Sequence, residues 1–194
     1  MINTYSLDDI DININEVLRY MGCARDIADE SVINLAKKSI NEVKPKLKLN
    51  ACYEKFEISS DGDALDLGFT VVNSKDLKKN LSDVKEIFVF VATIGIELDR
   101  LMWKYSLTSP AYATAIQAVG ATAIESWCDI LCEHLSKTAG KLCPRFSPGY
   151  GDLPLDIQKD ILNALDCARK IGVSLTDSML MLPTKSVSAI VGIK

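Results

Sequence analysis

Apolar positions recur at helical spacing through the first part of the chain. Ile14, Val17, Leu18 and Met21 share one face and predict a helix that stops at Gly22. Val32, Leu35, Ala36, Ile40 and Val43 define a second helix, from about Ile27 to Val43, ending before Pro45. The period then shortens. Phe56-Glu-Ile-Ser and Ala64-Leu-Asp-Leu alternate apolar and polar residues on either side of Asp61-Gly62, a hairpin signal. Ser74 to Leu81 reads as a short helix with Ser74 as its N-cap. Glu86 to Ala92 is almost wholly β-branched and aromatic and predicts a buried strand, followed by a helix from about Ile96 to Tyr105.

The longest helix is expected from Pro110, a favoured first-turn residue, to about Lys137. Ile116, Ala123, Ile124, Trp127, Leu131 and Leu135 form its main apolar face, and Ala113, Ala115, Ala118, Gly120 and Ala121 keep its other sides small. Such a helix belongs in the centre of a fold, with close neighbours on several sides. No charge occurs from Tyr105 through Ile124; the first is Glu125. This carboxylate either enters a poorly solvated region and needs a partner, or lies at the rim in water. Leu155 to Ile171 predicts an amphipathic helix stopped by Gly172. Ser178–Leu182 and Ser186–Gly192 predict two strands joined by a short turn, a candidate hairpin. Helices, hairpin, strand, long helices and strands in that order indicate a single α+β domain over residues 1–194. Residues 1–84 hold the N-terminal helices and hairpin, and residues 85–194 the remaining core.

Composition excludes several classes of function. With 48% apolar and 25% charged residues the chain has the make-up of a folded globule. A net charge of −4 gives no broad field for nucleic acid or an anionic membrane, and Lys44-Pro-Lys-Leu-Lys48 is read as a solvated edge. The N-terminus lacks a basic region followed by an apolar segment, and the weakly charged stretch Tyr105–Ile124 is too polar to span a bilayer; a cytoplasmic location is expected. The six cysteines form no CxxC pair, and thiols in that compartment stay reduced. Cys128, Cys132, His134 and Cys143 lack the paired spacing of zinc ligands and are read as packing residues, so no metal is expected. Thr93-Ile-Gly95 follows a strand, but offers one glycine where a dinucleotide fingerprint needs three.

One stretch departs from this helix-rich pattern. Cys143 to Asp156, CPRFSPGYGDLPLD, holds three of the six prolines. Pro144 and Pro148 restrict the backbone on both sides of Arg145, while Gly149 and Gly151 permit sharp turns or close approach to another molecule. A segment so preorganised loses little entropy on binding. The planar fork of Arg145 suits a carboxylate or phosphate, and Tyr150 sets a flat face and a hydroxyl beside it. The other reading is a rigid corner between helices, with Arg145 paired to an acidic neighbour. Both stay open on the residues alone.

Arg145-Phe-Ser-Pro-Gly-Tyr150 resembles the RxxxGY-type motif, usually RPxPGY, of the activation domain of cobalamin-dependent methionine synthase. Ala-Ile-Glu125-Ser-Trp upstream, and Ile171-Gly-Val-Ser-Leu-Thr-Asp-Ser178 with Lys185-Ser-Val-Ser-Ala189 downstream, follow the same order. The likeness spans roughly residues 85–193 and resembles the short, free-standing bacterial form of the domain. It implies a mostly antiparallel twisted sheet packed against long central helices. It also implies a site for S-adenosylmethionine at Glu125, Arg145, Ser147, Gly149 and Tyr150. Arg145 would take the ligand carboxylate, the backbone around Ser147 its adenine or amino-acid portion, and Glu125 a cationic or ribose-hydroxyl portion. Tyr150 would lie near the sulfonium methyl. No catalytic acid, base or nucleophile is implied. The function implied is a reactivation subunit supporting reductive remethylation of cobalamin. The chain has no Asp-x-His-x-x-Gly corrinoid motif, so the cobalamin is expected on a partner, a corrinoid-bearing methionine synthase core. The reductant implied is flavodoxin-like or another low-potential protein. PGYG replaces the usual PGYP, with Asp152 just beyond. An adaptor without ligand binding, and a methyltransferase acting on a corrinoid protein, are the competing functions.

Overall fold

A computed structural model describes residues 1–23 and 27–194. The chain begins β1 (Asn3–Leu7), α1 (Ile14–Tyr20), α2 (Glu30–Val43), then β2 (Leu49–Glu57), β3 (Ser59–Asp61), β4 (Ala64–Asp66) and β5 (Val71–Val72). It continues with α3 (Lys75–Asn80), β6 (Glu86–Thr93), α4 (Glu97–Ser106) and α5 (Pro110–Ala139). The last elements are α6 (Ile157–Ala164), α7 (Cys167–Ile171), β7 (Ser174–Leu175), β8 (Met181–Leu182) and β9 (Ser186–Ile193). Among the described residues no helix is long and apolar enough to cross a membrane.

The main sheet has the order β1-β2-β6-β9, and every pairing in it is antiparallel. Central strand β6 explains its own unbroken apolar sequence. Phe88, Phe90 and Ala92 enter one apolar layer, whereas Ile87, Val89 and Val91 enter the other, so both faces of the strand are buried. The first layer is filled by α1, α2, α4 and α5, with Trp127, Leu131 and Leu135 fully covered. The second holds Leu77 of α3, Ile157, Ile161 and Leu162 of α6, and Cys167 of α7. The expected antiparallel sheet against long helices is therefore present. Trp127 also donates its indole N–H to the Asn50 carbonyl at 3.2 Å, fastening α5 to β2.

One strand was not anticipated and two expectations are corrected. The two helices expected first are present as α1 and α2, but ahead of them Asn3–Leu7 forms edge strand β1, registered Asn3↔Tyr53 to Leu7↔Leu49. Its alternation is weak because only Tyr5 and Leu7 turn inward, and Tyr5 gains its partners from afar, stacking on Trp127 and on His134. The helix expected from Leu155 to Ile171 is two pieces, because Asp166 adopts a left-handed conformation at φ 49°. Its apolar spacing persisted because both pieces cover the same sheet face. The C-terminal strands do not form a hairpin. β8 pairs back with β7, and β9 pairs along its whole length with β6, from Thr93↔Ser186 to Glu86↔Ile193.

Candidate functional site

The proline-rich segment is fastened to the main sheet. Cys143 donates its backbone N–H to the Gly192 carbonyl at 2.8 Å. Phe146 and Ile190 exchange two backbone hydrogen bonds of 2.9 and 2.8 Å. Residues 143–146 thus run along the outer edge of β9, and Arg145 is held between two paired residues. Beyond it the chain pairs with itself: Tyr150 N–H reaches the Ser147 carbonyl at 3.0 Å, and Gly149 N–H reaches the Leu153 carbonyl at 2.9 Å. Gly149 and Gly151 have φ of 85° and 52°, the left-handed region that favours glycine. A Cβ at Gly151 would also overlap the Asp76 carboxylate.

The far end of the loop is tied to α3. Asp152 accepts the Ser74 hydroxyl, the Lys75 N–H at 2.8 Å and the Asp76 N–H at 3.2 Å. Ser74 in turn accepts the Leu77 N–H as the N-cap, as expected from sequence. The Ser74 hydroxyl, opposed by some burial and helped by the two backbone donors, holds the Asp152 carboxyl below the usual carboxylate range. Asp152, just beyond Gly151, is thus a clasp between the loop and a helix.

Arg145 reaches α5. Its Nη2 donates to Glu125 Oε2 at 3.0 Å and lies 3.0 Å from Asp129 Oδ1. Spacing explains the pair: residues i and i+4 stack on one helix face. An acidic neighbour for Arg145 was one of the two readings left open by the residues; the structure identifies it as Glu125 together with Asp129, which was missed although its four-residue offset from Glu125 was visible. The Arg145 side chain is 24% exposed, Glu125 is 49% and Asp129 73%, so the guanidinium is the covered partner. Burial opposes the charge on Arg145, but Cys128, Asp129 and Glu125 more than offset it and raise its pKa. Burial pushes the Cys128 thiol up to about 12, so that thiol is neutral near pH 7 and the two carboxylates supply the balancing charge. Among the described residues, Arg145 Nη1 is buried without a hydrogen-bond partner. A buried donor left unpaired is costly, which marks this nitrogen as a place for an acceptor.

A cavity of about 510 Å³ opens at this point, lined by Glu125, Arg145, Ser147, Tyr150, Gln158 and Ser188, among others. Four of the five expected site residues therefore share one wall. Gly149 does not line it; its left-handed turn instead shapes the loop between Ser147 and Tyr150. Tyr150 is 58% exposed and meets Phe146 edge-on, with ring centroids 6.2 Å apart. Gln158, Met181 and Ser186 were missed as site residues because they lie on α6, β8 and β9, which only the fold brings together. Gln158 donates to the Met179 carbonyl at 3.1 Å, and the Ser188 hydroxyl lies 3.5 Å from Gln158 Oε1. Ser186 is buried against Thr93 Oγ1 at 2.9 Å and the Pro183 carbonyl at 2.8 Å. Among the described residues no three His, Cys, Asp or Glu side chains converge as metal ligands, and His134 stacks on Tyr5 at 4.0 Å.

Residues 133–193 match the family described as vitamin B12 dependent methionine synthase, activation domain. That stretch contains Arg145, Ser147, Gly149 and Tyr150, and begins after Glu125 and Asp129. A comparison with curated proteins found no match. Among solved structures, the chain is similar to a crystal structure of the MetH reactivation domain bound to AdoHcy. The identity is 17%, the TM-score is 0.77, and the match covers 100% of this chain and 78% of that one. The likeness read from Arg145 to Tyr150 is borne out: residues 133–193 match the activation-domain family of vitamin B12 dependent methionine synthase, and the fold of the whole chain is similar to that of a MetH reactivation domain.

Proposed function

We propose that the cavity binds S-adenosylmethionine and that the chain acts as a reactivation module for the cobalamin of a separate methionine synthase core. The observation that carries this reading is Arg145: a largely covered guanidinium at the cavity wall, with Nη2 on two carboxylates and Nη1 buried without an acceptor among the described residues. A ligand carboxylate would supply that acceptor bidentately. The cavity, at about 510 Å³, lies within the range of roughly 300–1,000 Å³ common for small-molecule sites. Glu125, half exposed at the wall, would exchange part of its hold on Arg145 for the ligand's ammonium or ribose hydroxyls. The backbone at Ser147, with Gln158 and Ser188, would orient the uncharged portions, and Tyr150 would cover the mouth.

Bound there, S-adenosylmethionine supplies an electrophilic methyl group on a sulfonium. The task left to this chain is positioning: Arg145 and Glu125 fix the two charged ends, and the strapped loop keeps them in place without a large ordering cost. The corrin and a low-potential reductant, flavodoxin-like or otherwise, would come from other proteins.

The ion pairs of Arg145 favour a second reading, in which the loop is a rigid corner and the chain an adaptor without ligand. Calorimetric titration separates the two. With S-adenosylmethionine we expect the wild type to bind and Arg145→Ala to lose on the order of 2–4 kcal/mol, as when one partner of a desolvated charge pair is removed. Glu125→Gln should weaken binding and leave the fold intact. Equal affinity in wild type and Arg145→Ala removes Arg145 as the anchor; no binding by the folded wild type leaves the adaptor.

A further inference from the structure

Two cysteines far apart in sequence meet in the second apolar layer. Cys52 of β2 and Cys167 of α7 are 115 residues apart, both fully buried, with their sulfurs 3.4 Å from each other. Among the described residues this is the only thiol–thiol contact; Cys128 and Cys132 share one helix and Cys143 packs against Gly192. We propose that Cys52 and Cys167 form a covalent modification site, a dithiol that a peroxide closes to an internal disulfide.

Closure needs little movement. A disulfide length of about 2.05 Å is reached from 3.4 Å by an approach of roughly 1.4 Å. The two cysteines differ in mobility. Cys52 lies mid-strand, laddered to Thr4 on one side and Val91 on the other. Cys167 begins a five-residue helix bounded by left-handed Asp166 and Gly172. Elements so short open at lower free energy than the strands beneath them, so α7 lifts while β2 stays. In the closed state Cys167 is held as a thiol: its contact with Cys52, then burial, raise its pKa well above the ordinary range. Opening returns it to water, where its thiolate fraction rises.

The chemistry balances with one peroxide. The Cys167 thiolate attacks a peroxide oxygen, the O–O bond breaks, and one water leaves, giving a sulfenic acid. When α7 closes, Cys52 sulfur displaces the sulfenic hydroxyl as a second water and the S–S bond forms. The two sulfurs together lose two electrons, and both peroxide oxygens leave as water. The neighbouring thiol intercepts the sulfenic acid before further oxidation, which is the use of a second cysteine so close by.

Hydrogen peroxide treatment of the full chain, alkylation in denaturant and non-reducing peptide mass spectrometry test this site. The expected product links the Cys52 and Cys167 peptides, lighter by two hydrogens, and leaves four of the six cysteines alkylated. The melting temperature should rise by roughly 5–15 °C, because the bond closes a long loop, and should return on reduction with dithiothreitol. Cys167→Ser, and separately Cys52→Ser, should lose the cross-link. Six alkylated cysteines after treatment, or a link between any other pair, overturns the proposal. None of these outcomes depends on whether S-adenosylmethionine binds.

Discussion

Gly120 lies where α5 crosses α4, and replacing it with alanine sets two effects of opposite sign against each other. In an exposed helix, glycine to alanine would stabilise by about 1 kcal/mol. Here the new Cβ would lie 2.6 Å from Leu98 Cδ1 and 3.0 Å from Leu98 Cδ2, with Lys185 Cε at 3.3 Å. Leu98 is 1% exposed, and because both its methyls crowd the same point, exchanging one for the other brings no relief. Helix α4 must then shift outward, and overpacking of this kind costs about 1–3 kcal/mol. The expected net result is a loss of roughly 0–2 kcal/mol, a fall in melting temperature of a few degrees for a chain of this size. The shift should reach the site wall, since Asp99 of α4 accepts the Thr184 N–H at 3.0 Å, two residues before Ser186. Urea denaturation of Gly120→Ala, Leu98→Ala and the double variant measures the coupling. The double variant should be more stable than the two losses added together predict. Stabilisation of Gly120→Ala by the full helix-propensity gain, with additive behaviour in the cycle, would refute this account of the crossing.

Asp152→Asn tests the clasp on α3. Its folded-state pKa is depressed, so its contribution is present above the ordinary carboxylate value, about 3.9, and is lost as pH falls through the folded value. Thermal melts from pH 7 downward should show wild type and variant converging in acid; a constant gap would mean the carboxylate charge is not what matters. Asp129→Asn removes the more exposed counter-ion of Arg145 and should change stability by less than about 1 kcal/mol, because solvent screens the pair. A larger loss in urea denaturation would show that Glu125 alone does not balance the guanidinium.

Local chemistry was legible from the residues wherever it needed no distant partner. The Ser74 cap, the buried β6 run, the start of α5 at Pro110 and the constraint around Arg145 all follow from patterns within a few positions. What escaped needed the fold. Tyr5 becomes part of a strand only because β2 lies beside it, and Asp166 breaks a helix whose apolar spacing continues across the break. Ser186, Gln158 and Met181 reach the cavity from three separate elements. The partnership of Arg145 with both Glu125 and Asp129 could not be read from either residue alone.

The segment carrying Arg145 also has a mechanical duty. By hydrogen-bonding along β9 it shields a strand margin that would otherwise offer free amide and carbonyl groups to any passing chain. Substitutions that loosen this strap should therefore do two kinds of damage together, blurring the pocket and inviting self-association, so a variant lost to aggregation can owe its failure to the same bonds that aim the guanidinium.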